Sequence, residues 1–233
     1  MPDNNPTHEN TTRFDEGRIY TDRYKQFIYS RGRVWEQAER YLVILGGMNV
    51  LIGFEESQTI ANEYRKQGHN AFSCDLEPCS GGHPEYHLQI DIFEAIKLKK
   101  WDIIILHPPC TFTALCGNRW YWNNQLRIDG IKLCKDSWEA ATSVCDKVAL
   151  EQPKTILQRY IGKKTQVIHP WQFGHGETKE TWLWLKGLPK LTPTNIVDGR
   201  ENRIWKMPPS KDRAKLRSKT YPGIAKAISE QWN

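Results

Sequence analysis

Cys110 is the residue whose type and setting speak first of chemistry. It closes the run His107-Pro108-Pro109-Cys110, directly after the apolar stretch Asp102–Leu106. Two prolines remove backbone donors and restrict the chain, so the turn is stiff. A thiol projecting from a rigid turn suits a nucleophile that adds covalently to an electrophilic carbon. The ordinary fate of an isolated cysteine is burial as a small apolar side chain, and the Pro-Pro context is what argues otherwise. Asp75 and Asp91 each follow a short apolar run. An acid after the second strand of an α/β sheet accepts from ribose hydroxyls, and one a strand later could accept from an adenine amine. Either could equally cap a helix. Cys74, Cys79, His83 and His87 are metal-ligating types, but they lack CxxC geometry and Cys74 ends an apolar run, so no metal is assigned.

These side chains need a scaffold, and the pattern around them supplies one. Asn49–Phe54 is a short apolar run of the kind buried in a parallel sheet. Ser57–Gln67 reads as a helix closed by Gly68. Strands follow at Ala71–Cys74, Leu88–Ile90 and Asp102–Leu106, with a helix at Ile92–Lys99. Glu56, Asp75, Asp91 and Cys110 then stand at the carboxyl ends of successive strands. That is the edge at which open α/β sheets bind ligands. The expected organisation is a polar tail over 1–23, an N-terminal helical extension over 24–47 and one α/β domain over 48–233.

Composition sets the limits. The chain has 233 residues, 39% of them apolar, enough for a globular domain. No apolar run approaches the roughly 20 residues that span a bilayer, and the first residues carry no apolar leader core. A cytoplasmic protein with reduced cysteines is therefore expected, with no membrane partner. The formal net charge is +6, and Arg200, Arg203, Lys206, Lys211, Arg213, Lys215, Arg217 and Lys219 crowd one segment. Such a segment could neutralise phosphates, or could simply be a solvated face.

The order of these motifs resembles the DNA (cytosine-5) methyltransferases, in particular their compact phage-type group. The likeness runs from about Met48 to the C-terminus. Pro108-Pro109-Cys110 matches the family's nucleophile turn, and Glu151-Gln152-Pro153 its base-holding Glu-Asn-Val or Glu-Asn-Pro. His169-Pro170-Trp171-Gln172-Phe173-Gly174-His175 and Tyr221-Pro222-Gly223-Ile224-Ala225 match stretches of the compact group. The resemblance implies a Rossmann-like class I methyltransferase fold, an α/β domain whose mostly parallel central sheet carries helices on both faces. It implies S-adenosyl-L-methionine as cofactor, lined by Phe54, Glu56, Ser57, Asp75, Leu76, Asp91, Ile92, His107 and Pro108. It implies Cys110 and Glu151 as catalytic residues, with an arginine on the base carbonyl, for which Arg203 and Arg217 both qualify. DNA is the implied partner, and the target cytosine must leave the helical stack.

The chain departs from that pattern in three places. Gln58 stands where the compact relatives have glycine, and Gln152 replaces asparagine. The stretch between Glu151 and Tyr221 is too short for a large target-recognition domain, so single-stranded or short-context DNA fits as well as a duplex. Three rival readings follow. One is carbon-5 modification with an altered cofactor or a free nucleotide. Another is amino-methylation, against which His107-Pro108-Pro109-Cys110 lacks the aromatic residue. The third is a non-catalytic nucleic-acid-binding decoy.

Overall fold

The computed structural model describes residues 47–121, 123–208, 210 and 213–233. The expected tail and, Gly47 apart, the expected helical extension lie outside the described residues. In chain order the elements are β1 (Asn49–Gly53), α1 (Thr59–Lys66), β2 (Asn70–Cys74), β3 (His87–Leu88), α2 (Ile92–Ala95) and β4 (Ile103–Leu106). Then come α3 (Asn118–Tyr121), α4 (Gln125–Val144), β5 (Val148–Pro153), β6 (Gln166–Ile168) and β7 (Thr181–Lys186). Three helices complete the chain: α5 (Arg203–Lys206), α6 (Arg213–Ser218) and α7 (Pro222–Gln231).

The strands form one seven-stranded sheet in the order β3-β2-β1-β4-β5-β7-β6. Pairings from β3 to β5 are parallel, and β7 runs antiparallel to both β5 and β6. This is the expected Rossmann-like methyltransferase sheet. Its central strands are buried on both sides, which is why Ile103–Leu106 shows no polar alternation. Successive side chains still point to opposite faces. Val50, Ile52, Ile103 and Ile105 pack with Ile60 and Tyr64 of α1 and with Ile224 and Ile228 of α7. Leu51, Ile104 and Leu106 pack on the other face with Ile92, Trp101, Ile131 and Cys134.

Two helices are shorter than the sequence suggests. The first begins at Thr59 because Phe54 and Gln58 adopt left-handed conformations, with φ of 62° and 54°, and keep the intervening turn non-helical. Its far end is as expected, with Gly68 at φ 84°. The second is regular only over Ile92–Ala95, because Lys97 and Leu98 bond back three residues rather than four. Between the end of β5 and Tyr221 the described residues form only β6, β7, two 3₁₀ turns, two short α-helices and connecting loops, with no large additional domain. None of the described helices is long and apolar enough to cross a membrane.

Candidate active site

The turn after β4 is fixed from the neighbouring strand. Gln152 of β5 is buried, donates from Nε2 to the Pro108 carbonyl and accepts from Thr113 Oγ1 at 2.8 Å. The amides of Thr113 and Ala114 bond back to the Cys110 carbonyl at 3.2 and 2.9 Å. Thr155 Oγ1 donates to the Thr113 carbonyl at 2.8 Å and the Leu115 amide to that of Lys154 at 2.9 Å, so the segment after β5 braces the same turn. Cys110 itself is half-buried. Burial pushes its thiol up to about 11, the Glu151 carboxylate adds to the effect, and Lys179 and Arg217 oppose it.

Glu151 is brought to this turn by strand register. β4 and β5 are parallel with Leu106 beside Leu150, so the residues one step on, His107 and Glu151, meet above them. His107 Nδ1 lies 3.2 Å from Glu151 Oε2, while its Nε2 is buried without a hydrogen-bond partner. Burial raises the Glu151 carboxyl, but the His107 hydrogen bond and the Lys179 charge outweigh it and leave it below the usual carboxylate range. Glu55, also close to His107, is 5% exposed and accepts the Ile60 and Ala61 amides at 2.7 and 3.3 Å. Burial drives its carboxyl up to about 7 even though the His107 charge pulls it down. His107, Glu151, Lys179, Thr181 and Tyr221 line a small cleft between the sheet edge and α7.

The two arginines separate. Arg217 lies close enough to influence Cys110, and its carbonyl accepts from Lys179 Nζ at 3.0 Å. Arg203 donates from Nε and Nη2 to Glu177 Oε1 at 2.9 and 2.8 Å, and Glu177 also accepts from the Tyr221 hydroxyl at 2.7 Å.

On the other side of His107 lie the residues expected to line a cofactor. Asp75 follows β2; its Oδ1 accepts the Glu77 amide at 2.9 Å, and burial raises its carboxyl to about 6. Asp91 is buried and caps α2, accepting the Phe93 amide at 2.7 Å. The Leu76 carbonyl accepts from Gln89 Nε2 at 3.1 Å. Ile92 packs beneath Gly53, where a Cβ would fall 2.4 Å from its Cδ1. Glu56 accepts from Ser80 Oγ, and Ser57 Oγ pairs with Thr59 Oγ1 at 3.0 Å. Gln58 keeps the backbone conformation that glycine adopts freely. Its amide is turned away to hold the neighbouring loop, donating to Ser73 Oγ and the His83 carbonyl and accepting from the His83 amide and Cys79 Sγ.

The residues considered as metal ligands have other partners. Cys74 Sγ donates to the Ile90 carbonyl at 3.2 Å, and His87 bonds Ser73 Oγ and the Glu77 carbonyl at 2.8 and 2.9 Å.

Sequence reasoning missed Lys179, Glu55 and the holding role of Gln58. Lys179 belongs to no local motif. It reaches the site because the antiparallel register sets Thr181 beside Pro153, at the edge where Glu151 ends its strand.

No family model matches the chain, and no curated protein matches it. Among solved structures it is similar to the S. pombe Dnmt2 methyltransferase, at 10% identity and a TM-score of 0.42, over 68% of this chain and 54% of that one. It is also similar to the bifunctional kinase-methyltransferase WbdD, at 12% identity and a TM-score of 0.39, over 78% of this chain and 41% of that one. The chain thus spans about half of the former or less than half of the latter. The fold assignment rests on its own strand order, and its chemistry on its own residues.

Proposed function

We propose that this protein transfers a methyl group from S-adenosyl-L-methionine to carbon 5 of cytosine in DNA, with Cys110 as covalent nucleophile. The observation that carries the reading is the clamped Cys110 turn beside Glu151, at the carboxyl edge where Asp75 and Asp91 follow the second and third strands.

Carbon 5 of cytosine is a poor nucleophile until a group adds to carbon 6. Cys110 supplies that group as a thiolate, which its surroundings disfavour while Glu151 is ionised. When the proton that Cys110 gives up comes to lie between Glu151 and ring nitrogen 3, the carboxylate's negative charge fades. The same event that draws electrons from the ring thereby eases ionisation of the thiol. His107 holds the Glu151 carboxylate in place through Nδ1. Lys179 and Arg217 are the cations available to the developing charge on the base carbonyl. Once carbon 5 has gained the methyl group, its proton passes to a base or water and the electron pair left behind expels Cys110 as a thiolate.

The cofactor's chemistry is the electrophilic methyl group. Asp75 fits its ribose hydroxyls and Asp91 its adenine end. Phe54, Glu56 and Ser57 would border its methionine part, Leu76 and Ile92 its base, and His107 with Pro108 its reacting side. The left-handed Gln58 preserves a glycine-like path for that loop.

A single-stranded oligonucleotide carrying 5-fluorocytosine tests the reading, since no proton can leave carbon 5. Incubated with cofactor, the wild type should form a covalent adduct stable to denaturing electrophoresis, and Cys110→Ser none. Methylated nucleoside produced undiminished by Cys110→Ser would instead mean methylation of an amine. Nucleoside mass spectrometry also reads whether the group added is an unmodified methyl.

A further inference from the structure

The first turn of α4 carries a largely buried arginine with one nitrogen that has no hydrogen-bond partner among the described residues. Arg127 is 5% exposed, and its Nη1 is buried without a hydrogen-bond partner. The charged or polar groups acting on it are the Tyr160 hydroxyl and Arg159, which repels it; no carboxylate pairs with it among the described residues. An uncompensated buried charge is strongly unfavourable. The location makes it worse, because the N-terminus of a 20-residue helix is its positive end and favours anions.

Chain geometry puts this cation beside the nucleophile turn. One helical turn on, Gly130 packs against that turn so closely that a Cβ would lie 3.3 Å from Phe112 Cβ and 3.7 Å from Thr113 Cγ2. Arg159 and Tyr160 follow the segment that braces the turn from the other side, where the Ile156 amide donates to the Thr113 carbonyl at 3.2 Å. Both are exposed, so the group opens to solvent. Two guanidinium groups and a phenol supply the charge and donors that a phosphate requires, at the positive end of a helix whose first amides Asn124 already holds.

We propose that Arg127, Arg159 and the Tyr160 hydroxyl form a phosphate site next to the Cys110 turn, which holds a phosphate of the cytosine nucleotide substrate. That the phosphate belongs to a cytosine nucleotide rests on the function proposed above. The phosphate is either a diester of a nucleic-acid strand or the monoester of a free nucleotide.

The full chain and its Arg127→Met and Arg159→Gln variants distinguish these cases. Anisotropy of a labelled single-stranded cytosine oligonucleotide is measured across a salt series, with dCMP and deoxycytidine as competitors. Arg127→Met should weaken oligonucleotide binding about tenfold and flatten its salt dependence by about 0.7 in log–log slope. Its thermal midpoint should equal or exceed that of the wild type, because an unpaired buried charge is removed; a structural arginine would lower it. Arg159→Gln, at an exposed position, should weaken binding in the same direction and decides the matter if Arg127→Met does not fold. Competition by dCMP well above deoxycytidine, lost in Arg127→Met, supports the site as one for a monoester. Equal competition by the two, with oligonucleotide binding still dependent on Arg127, supports it as one for the strand.

Unchanged affinity and salt slope in both variants would overturn the proposal. So would a lowered midpoint in Arg127→Met with unaltered affinity. Binding that depends on Arg127 without any 5-fluorocytosine adduct would keep the phosphate site and remove the carbon-5 chemistry. Adduct formation with binding indifferent to both arginines would do the reverse.

Discussion

Gln152 shows how much one side chain can settle. Its amide joins two segments of the nucleophile turn, one through the Pro108 carbonyl and the other through Thr113. Gln152→Ala would leave the buried Pro108 carbonyl without this donor and the Thr113 hydroxyl with only the Cys110 carbonyl at 3.4 Å, at a cost of about 1–3 kcal/mol that denaturant unfolding would register. The loosened turn should also slow 5-fluorocytosine adduct formation. Glu55 gives a pH signature. Its carboxyl is raised in the folded protein from 4.5 to about 7, so folding is favoured when it is protonated. That stability is present below about pH 4.5 and is lost as pH rises towards 7. The loss is on the order of 3 kcal/mol. Asp75 acts in the same direction at lower pH and Glu151 in the opposite one, so the readout is wild type minus Glu55→Gln: the variant's stability advantage should grow between pH 4.5 and 7. At this scale the sequence was legible where a residue type is rare in its setting, as with Cys110 after two prolines. It was silent on Glu55, because only the fold decides which of two adjacent glutamates turns inward to meet the Ile60 amide.

Among the elements, the parallel strands were readable because burial on both faces leaves uninterrupted apolar runs, as in Ile103–Leu106. The short helix from Ile92 was over-extended because its apolar spacing continues after its backbone tightens at Lys97. The β7 hairpin carries no comparable local signal, and with it Lys179 was lost to sequence reasoning. The start of α7 is tied to the loop after β6. The Gly223 amide donates to His175 Nε2 at 3.0 Å, and a Cβ on Gly223 would lie 1.9 Å from the Phe173 carbonyl oxygen. Gly223→Ala must therefore push α7 away from that loop. A loss of about 1–3 kcal/mol in thermal or denaturant unfolding is expected, with Tyr221 and its bond to Glu177 displaced as well.

Over the whole molecule, the arginines described in the basic run from Arg200 to Lys219 turn to different partners. Arg200 lies over the Trp171 ring at 3.9 Å, Arg203 is committed to Glu177, and Arg217 reaches towards Cys110. The tryptophans divide similarly: Trp101, Trp182, Trp184 and Trp232 are buried, whereas Trp120 is exposed beside Arg119. The polarity of the sheet has a practical outcome. Cys110, Glu151 and Lys179 gather at the tips where parallel strands finish, while Asn49 opens β1 at the opposite rim. Asn233 is at that far rim too, its carbonyl accepting from Lys147 Nζ at 3.2 Å just before β5 begins. A targeting module or affinity handle joined behind Asn233 would thus emerge on the side away from the cleft, leaving the approach to Cys110 unobstructed.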